Sequence, residues 1–367
     1  MTRSKFLTLA TLAALALVVT ACVGGGSAPT SWPGLSVSGD NVYVAFNQQV
    51  HALNLANGQE LWSFPAQRDT KITFYAEPAV AGDLMVVGGY NKLVYGLSVP
   101  DKGLPRWTFS DATDHIVGGP LIDGKMVFIP SADYNLYALD AGTGEKRWTF
   151  AAKQAIWATP LIDNGRLYVP SLDHHLYALD AATGKLIWDR ELGGALAGTP
   201  ALFDGTLIVG AFDDKLYAVN AADGAIKWSQ PTEGWVWSGP LVVDGTLYFG
   251  DLEGWLYSAN AATGSVKWKV RPDGQHALRA TPAFADGTLF VAAQIGCEAA
   301  QYGCLYALKA ADGSEVWKKE VGGQLVTAPI VANGLVIVAP YGAKDNILVA
   351  ALDAATGNQR WSFAPPK

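Results

Sequence analysis

The sequence predicts an all-β chain, an eight-bladed β-propeller of four-stranded antiparallel blades, on three observations. One short motif recurs eight times and always ends in tryptophan, and its clearest copy is Ala178-Leu-Asp180-Ala-Ala-Thr-Gly184-Lys-Leu-Ile-Trp188. Successive final tryptophans lie 40 to 49 residues apart, a period typical of propeller blades. Short strand-like runs separated by Gly, Asn and Asp turns fill the intervals between the copies.

One repeat is enough to predict the four strands of a blade. Residues 159–163 and 166–170 are apolar runs separated by Asn164-Gly165, a strong two-residue turn signal. Residues 176–179 and 186–190 are two further runs on either side of the 180–184 turn. Four short strands with tight turns are the composition of one blade.

The recurring motif positions predict how blades dock. Asp180 is suited to accept hydrogen bonds from the following backbone N–H groups, and Gly184 supplies a positive φ at the end of the turn. We expect the small Ala178 to leave room for a neighbouring blade and Trp188 to lie across the seam between blades. The tryptophans expected to dock blades in this way are Trp62, Trp107, Trp148, Trp188, Trp228, Trp268, Trp317 and Trp361.

The N-terminal segment predicts export and a lipid anchor. Arg3 and Lys5 precede an apolar stretch over 6–19, and Val19-Thr-Ala-Cys22 then resembles the lipobox of bacterial lipoproteins. We therefore assign 1–21 to a lipoprotein signal peptide, 22–31 to the lipidated Cys22 with a flexible tether, and 32–367 to the propeller. An ordinary signal peptide or an uncleaved anchor with an incidental cysteine is the alternative. Because several acyl chains anchor stably, we expect the protein to stay on the membrane.

The location depends on the envelope of the host. With two membranes, Val23 after the cysteine is the outer-membrane pattern, and the propeller would face the periplasm. With one membrane, it would lie on the outer face of the cell membrane. The formal net charge is −7, and removal of Arg3 and Lys5 makes it −9. An acidic surface repels phosphate backbones, so nucleic acid is not an expected partner.

Strand parity divides the turns between two ends of the ring. The first-to-second and third-to-fourth turns are short and nearly identical in every copy, whereas the second-to-third turns and the blade connections diverge. We expect the divergent end to bind a partner or ligand, because aromatic residues and arginine dominate interface hot spots. The alternative is that these rings cap the channel and pack on one another. The candidates are Tyr75, His115, Tyr134, Trp157, His174, Trp235, Trp237, Trp255, Arg279 and Tyr341.

Two further features concern cysteine and metal chemistry. Cys297 and Cys304 lie in the longest second-to-third turn, and in an exported protein a disulfide between them is the default. His174 and His175 are adjacent, and Asp213-Asp214 occupies the corresponding turn one blade later. We interpret all four as solvated turn residues, since no Cys or carboxylate cluster stands at ligand spacing. No metal site and no catalytic residue is predicted.

The motif Ala-x-Asp/Asn-x-x-x-Gly-x-x-x-Trp resembles the tryptophan-docking repeat of quinoprotein-type propellers, first associated with pyrroloquinoline quinone (PQQ). Together with a lipobox, a short tether and eight such blades in under 400 residues, it is similar to the BamB family of the outer-membrane β-barrel assembly machinery. The resemblance implies a monomeric, membrane-anchored propeller scaffold that binds a protein partner in the cell envelope and needs no cofactor.

A quinone-dependent dehydrogenase is the enzymatic alternative, with PQQ in the channel, Ca²⁺ beside it and an aspartate as base. Enzymes of that type are typically much longer and carry adjacent cysteines, and this chain has no Cys-Cys pair. A surface that binds a glycan or a small ligand is a third reading. Activity as an enzyme is therefore uncertain and less expected than scaffolding.

Overall fold

The computed structural model describes residues 32–272, 274, 276–297, 301–343 and 345–366. The predicted signal peptide, Cys22 and the tether lie outside the described residues. Eight antiparallel sheets of four strands each follow one another along the chain, and within each sheet the strands are ordered as in the sequence. The predicted fold class, an all-β eight-bladed propeller of four-stranded antiparallel blades, is confirmed.

The strand bounds show that every blade is contiguous in sequence. Blade by blade, they are β1 Gly34–Ser38, β2 Asn41–Phe46, β3 Gln49–Asn54, β4 Glu60–Phe64; β5 Ala79–Ala81, β6 Leu84–Gly88, β7 Val94–Ser98, β8 Leu104–Phe109; β9 Leu121–Asp123, β10 Met126–Pro130, β11 Asn135–Asp140, β12 Lys146–Ala151; β13 Leu161–Asp163, β14 Arg166–Pro170, β15 His175–Asp180, β16 Leu186–Glu191; β17 Ala201–Phe203, β18 Thr206–Ala211, β19 Lys215–Asn220, β20 Ile226–Pro231; β21 Leu241–Val243, β22 Thr246–Gly250, β23 Leu256–Asn260, β24 Val266–Val270; β25 Ala283–Ala285, β26 Thr288–Ala293, β27 Cys304–Lys309, β28 Glu315–Glu320; β29 Ile330–Ala332, β30 Leu335–Val338, β31 Val349–Asp353, β32 Gln359–Phe363.

The hydrophobic core lies in the seams between blades. The second and third strands of a blade are buried along almost their whole length, as in β14 and β15, because both faces of the sheet are covered by neighbours. The fourth strand alternates between exposed and half-buried residues, as in β16. First strands of neighbouring blades contact one another, so they surround the centre of the ring.

The motif tryptophans join each blade to the next. The indole Nε1 of Trp188 donates to the Ala221 carbonyl oxygen at 3.2 Å, and that of Trp107 donates to the Ala141 oxygen at 2.9 Å. Each tryptophan ring also covers the turn glycine of the following blade, where a Cβ would collide with it. All of these glycines have positive φ, so the turn and the seam both require glycine. They are Gly58, Gly103, Gly144, Gly184, Gly224, Gly264, Gly313 and Gly357.

The small residue at the start of the motif has a second role besides the one expected. Ala178 pairs across the sheet with Trp188 of its own blade, and the register shifts immediately after it. At the equivalent Gly96, an added Cβ would lie 2.1 Å from Cε2 of Trp107 in the same blade. The small side chain therefore makes room for the tryptophan of its own blade, and as expected it also packs toward a neighbouring blade, since Ala178 shares one buried cluster with Leu207 and Val209 of blade 5.

The ring closes by packing blade 8 against blade 1, without a sheet shared between the two ends of the chain. Trp361 Nε1 donates to the Leu55 carbonyl oxygen at 3.0 Å, and the Trp361 ring covers Gly58. Val44 of blade 1 and Ile337 of blade 8 belong to one buried cluster. The closing seam thus repeats the chemistry of the seams within the chain.

Candidate functional site

One end of the ring carries the second-to-third turns and the blade connections, and it is here called the variable face. The variable face leads into the centre of the ring. Each first strand follows an X-Pro pair at the end of a connection, for example Glu77-Pro78 and Thr159-Pro160. Glu77 Oε1 accepts a hydrogen bond from Thr159 Oγ1 at 3.4 Å although the two residues belong to blades two apart. The pairs therefore converge near the axis, and burial there raises the pKa of Glu77.

The residue three positions before that proline defines a ring of equivalent positions at the entrance to the channel, here called the mouth. Four of the predicted site residues stand at mouth positions, and three of them, Trp157, Trp237 and Arg279, are linked through Trp237 despite their separation in sequence. The mouth positions of the seven connections are Tyr75, Val117, Trp157, Ala197, Trp237, Arg279 and Val326.

Half-buried aromatic rings cluster on one side of the mouth. Trp157 and Trp237 lie with ring centroids 6.5 Å apart, across two blades. Phe212 stacks on Trp235 at 5.0 Å and on Trp237 at 5.1 Å. The Nε1 of Trp157 is buried and has no hydrogen-bond partner. Here Trp157, Phe212, Trp235 and Trp237 are called the aromatic cluster.

Arg279 extends this cluster toward blades 7 and 8. Its guanidinium carbon lies 5.1 Å from the centroid of a Trp237 ring, a cation–π contact. Its Nε donates to Gln294 Oε1 at 2.7 Å, and Gln294 Nε2 donates to Gln324 Oε1 at 3.0 Å. Gln324 in turn forms two backbone hydrogen bonds with Tyr341. Burial lowers the pKa of Arg279 from its ordinary value, and none of the described carboxylates pairs with the guanidinium.

A second aromatic group lies on the variable face near blades 1 to 3. Tyr75 stacks on Tyr90 at 5.0 Å and approaches Trp32 at 5.5 Å. Tyr90 meets the His115 ring edge-on at 3.7 Å, and His115 Nδ1 is hydrogen-bonded to Asp114. These contacts link two predicted site residues, Tyr75 and His115, through Tyr90. This second group is separate from the aromatic cluster.

Three predicted site residues stay outside both groups. Tyr134 and His174 occupy the exposed tips of second-to-third turns with φ of 76° and 73°. Trp255 lies beneath two cations, with Lys269 Nζ at 4.5 Å and the Arg271 guanidinium carbon at 4.8 Å from its ring centroid. Positions at the turn tips point away from the centre, so these residues do not join the mouth.

The interpretation of two turn residues as solvated was wrong. Asp213 accepts a hydrogen bond from the Tyr217 hydroxyl at 2.5 Å and pairs with Lys215 at 3.1 Å. His175 begins β15, stacks on Tyr177 and lies 3.2 Å from Asp189. His174 and Asp214 are exposed as predicted.

The Asp213 contact belongs to a repeated Asp–Tyr pair that the sequence reasoning missed. In four blades a turn aspartate accepts from the hydroxyl of the tyrosine in the third strand, and in three of them, at Asp133, Asp173 and Asp251, it also accepts from backbone N–H groups. The signal was present in the recurring Leu-Tyr after each such aspartate. The pairs are Asp133–Tyr137, Asp173–Tyr177, Asp213–Tyr217 and Asp251–Tyr257, at 2.8, 2.7, 2.5 and 2.9 Å.

The pairs differ in electrostatics. Burial alone would raise the pKa of Asp173, but hydrogen bonds from Tyr177 and from the backbone N–H groups of Lys153 and His175 outweigh it, and the pKa is lowered. Burial dominates at the fully buried Asp251 and raises its pKa. The same arrangement of side chains therefore stabilises a charged carboxylate in one blade and disfavours it in another.

The predicted disulfide between Cys297 and Cys304 is present. It closes the second-to-third turn of blade 7, and Cys297 lies three residues after Gln294, the hydrogen-bond partner of Arg279. Within the part of the chain that the structure describes, no group of three His, Cys, Asp or Glu side chains is arranged to hold a metal ion. In the same residues, no helix is long and apolar enough to cross a membrane.

Comparisons with known proteins agree with this architecture. BamB from Moraxella catarrhalis superimposes with a TM-score of 0.70 at 18% identity, over 86% of this chain and 92% of that chain. The computationally designed Ika8 protein superimposes with a TM-score of 0.74 at 12% identity, over 88% and 96%. At these identities both likenesses show the fold alone. A search of curated protein sequences found no match.

The family described as "Outer membrane protein assembly factor BamB" matches the sequence in four overlapping segments, at residues 26–117, 99–194, 173–280 and 253–366. Together these segments span the whole propeller and include every docking tryptophan. The chain belongs to this BamB family of propellers.

Proposed function

We propose that the chain is a non-catalytic scaffold of the cell envelope that holds a protein partner on its variable face. The observation that carries the proposal is the aromatic cluster, where four half-buried rings are fixed at one end of a rigid ring. Large aromatic side chains that already have a fixed conformation lose little entropy on binding, and they are enriched in interface hot spots. Membership of a family named for outer-membrane protein assembly supports a partner in envelope assembly.

We further propose that Cys22 carries the lipid anchor and that residues 22–31 tether the propeller to the membrane. In a host with two membranes, the outer membrane facing the periplasm is the expected location. A propeller made only of docking repeats offers wide loop surfaces on a rigid frame, which suits scaffolding more than catalysis.

Crosslinked affinity purification of the lipidated protein from its own membranes tests this proposal. The variant replaces Trp235 and Trp237 with Ala, and the matched control replaces Leu186 and Ile187, exposed apolar residues of an outer strand, with Ala. We expect wild type and control to recover outer-membrane assembly components and the tryptophan variant to lose them, with a melting temperature close to that of wild type.

Two outcomes would contradict the scaffold. Equal recovery by the tryptophan variant would show that the cluster does not hold the partner, and a large loss of stability would show that these rings serve packing. A preparation without a protein partner but with a bound chromophore would favour the quinone alternative, and affinity for envelope polysaccharide would favour a glycan.

A further inference from the structure

Arg279 stands at a position where the fold does not require a cation. The other mouth positions carry tyrosine, tryptophan, valine or alanine, so the repeat tolerates both large and small neutral residues there. Three described arginines of outer strands pair with carboxylates: Arg106 with Asp83 at 2.7 Å, Arg147 with Asp140 at 2.7 Å and Arg360 with Asp353 at 2.8 Å. Arg279 therefore differs from its positional equivalents in charge, and it differs from these three arginines in having no ionic partner among the described residues.

The contacts of Arg279 hold its guanidinium group in place while leaving one end of it available. Gln294 accepts from Nε, and Trp237 covers a face of the planar group. Among the described residues no hydrogen bond or ion pair engages the two terminal Nη atoms. A partly buried cation with only neutral partners carries a desolvation cost, and an anion bound at those atoms would offset it.

The surroundings specify more than a charge. The Trp237 ring that supports Arg279 also contacts Phe212 and faces Trp157, whose Nε1 is a buried donor without a partner. The two terminal nitrogens of a guanidinium group match the two oxygens of a carboxylate, and aromatic faces favour a flat apolar ring.

We infer that the mouth binds a low-molecular-weight aromatic carboxylate, with its carboxylate on the Nη atoms of Arg279 and its ring against the aromatic cluster. This goes beyond the scaffold function, because it requires no protein partner. It also requires no reaction of the ligand.

Isothermal titration calorimetry of the whole purified protein with 2-naphthoate tests the inference. The first comparison uses 2-naphthamide on wild type, which keeps the ring and removes the charge without any change to the protein. The second uses Arg279→Gln, with Arg271→Gln as the matched control, because Arg271 also lies over a tryptophan but in contact with Trp255.

We expect 2-naphthoate to bind wild type and Arg271→Gln alike, and to bind Arg279→Gln at least tenfold more weakly. We expect 2-naphthamide to bind wild type at least tenfold more weakly than 2-naphthoate. We also expect that inorganic phosphate, at the same concentration as 2-naphthoate, does not displace 2-naphthoate. No binding of 2-naphthoate, equal binding of the amide, unchanged binding by Arg279→Gln, or displacement by phosphate would each overturn the inference.

Discussion

The hydrogen bond at the closing seam offers the sharpest test of how docking tryptophans stabilise the ring. Trp361 is 8% exposed, and its Nε1 donates to the Leu55 carbonyl at 3.0 Å. The Nε1 of Trp228 at the seam between blades 5 and 6 is buried without a partner. Replacement of each tryptophan by Phe removes similar ring area at both seams but removes a hydrogen bond only at Trp361.

The structure sets the expected magnitudes. The lost ring atoms amount to between one and two buried methylene groups, about 1 kcal/mol at either seam. Trp361→Phe also leaves the Leu55 carbonyl without its donor, which costs about 1 to 3 kcal/mol more. We therefore expect unfolding free energies lowered by about 2 to 4 kcal/mol for Trp361→Phe and about 1 kcal/mol for Trp228→Phe.

Urea unfolding followed by far-UV circular dichroism measures both values, with the slope against urea compared between variants to verify that the same surface unfolds. Equal losses for the two variants, or a larger loss for Trp228→Phe, would refute the argument that the indole N–H contributes at the seams.

Four further predictions concern turns and loops. Gly184→Ala should lower the free energy of unfolding by about 1 to 3 kcal/mol more than Gly165→Ala does. Both glycines have positive φ, but only at Gly184 would the added Cβ meet a tryptophan ring. Equal melting temperatures of the two variants would contradict this. The penalty of Asp173→Asn should be larger at pH 6 than at pH 3, because the lowered pKa makes its stabilisation present above about pH 4 and lost in acid. Asp251→Asn should show the opposite trend, since a raised pKa makes the stabilisation present in acid and lost as the pH rises; parallel pH profiles from urea titrations would count against the two assignments. Cys297→Ser should lower the free energy of unfolding by about 2 to 3 kcal/mol relative to wild type in non-reducing buffer. In reducing buffer the wild type also lacks the disulfide, so the two proteins should be equally stable; the same difference in both buffers would exclude the disulfide as the cause.

The blades and seams could be predicted from sequence because their chemistry is local and repeated. The motif from Ala178 to Trp188, with its turn from Asp180 to Gly184, occupies 11 consecutive residues, and the same spacing recurs in almost every blade. A single copy of the motif would be a weak signal, but eight copies allowed the number of blades to be counted. Ala178 shows the limit of this reasoning, because its position opposite the tryptophan of its own blade depends on strand register and was not predicted.

The site was less predictable because its members come together only through the curvature of the ring. Trp157 and Trp237 lie on connections two blades apart, so their contact depends on the radius of the channel. Phe212 was not predicted as a site residue, although it lies between the two tryptophans that were. The Asp–Tyr pairs were missed for a related reason, since turn aspartates are usually solvated and only the third strand reveals their partner.

The closing seam also has a consequence for chain entropy. The hydrogen bond from Trp107 spans 34 residues along the sequence, whereas the one from Trp361 spans 306. The entropic free-energy cost of closing a loop of n residues grows as (3/2)RT ln n. Because n is larger for the seam between blades 8 and 1, that seam costs about 2 kcal/mol more to form than a seam between consecutive blades. Opening therefore begins where blade 8 meets blade 1, which would turn the ring into an arc of intact blades. We expect the 6.5 Å spacing of the Trp157 and Trp237 ring centroids to depend on this seam being closed.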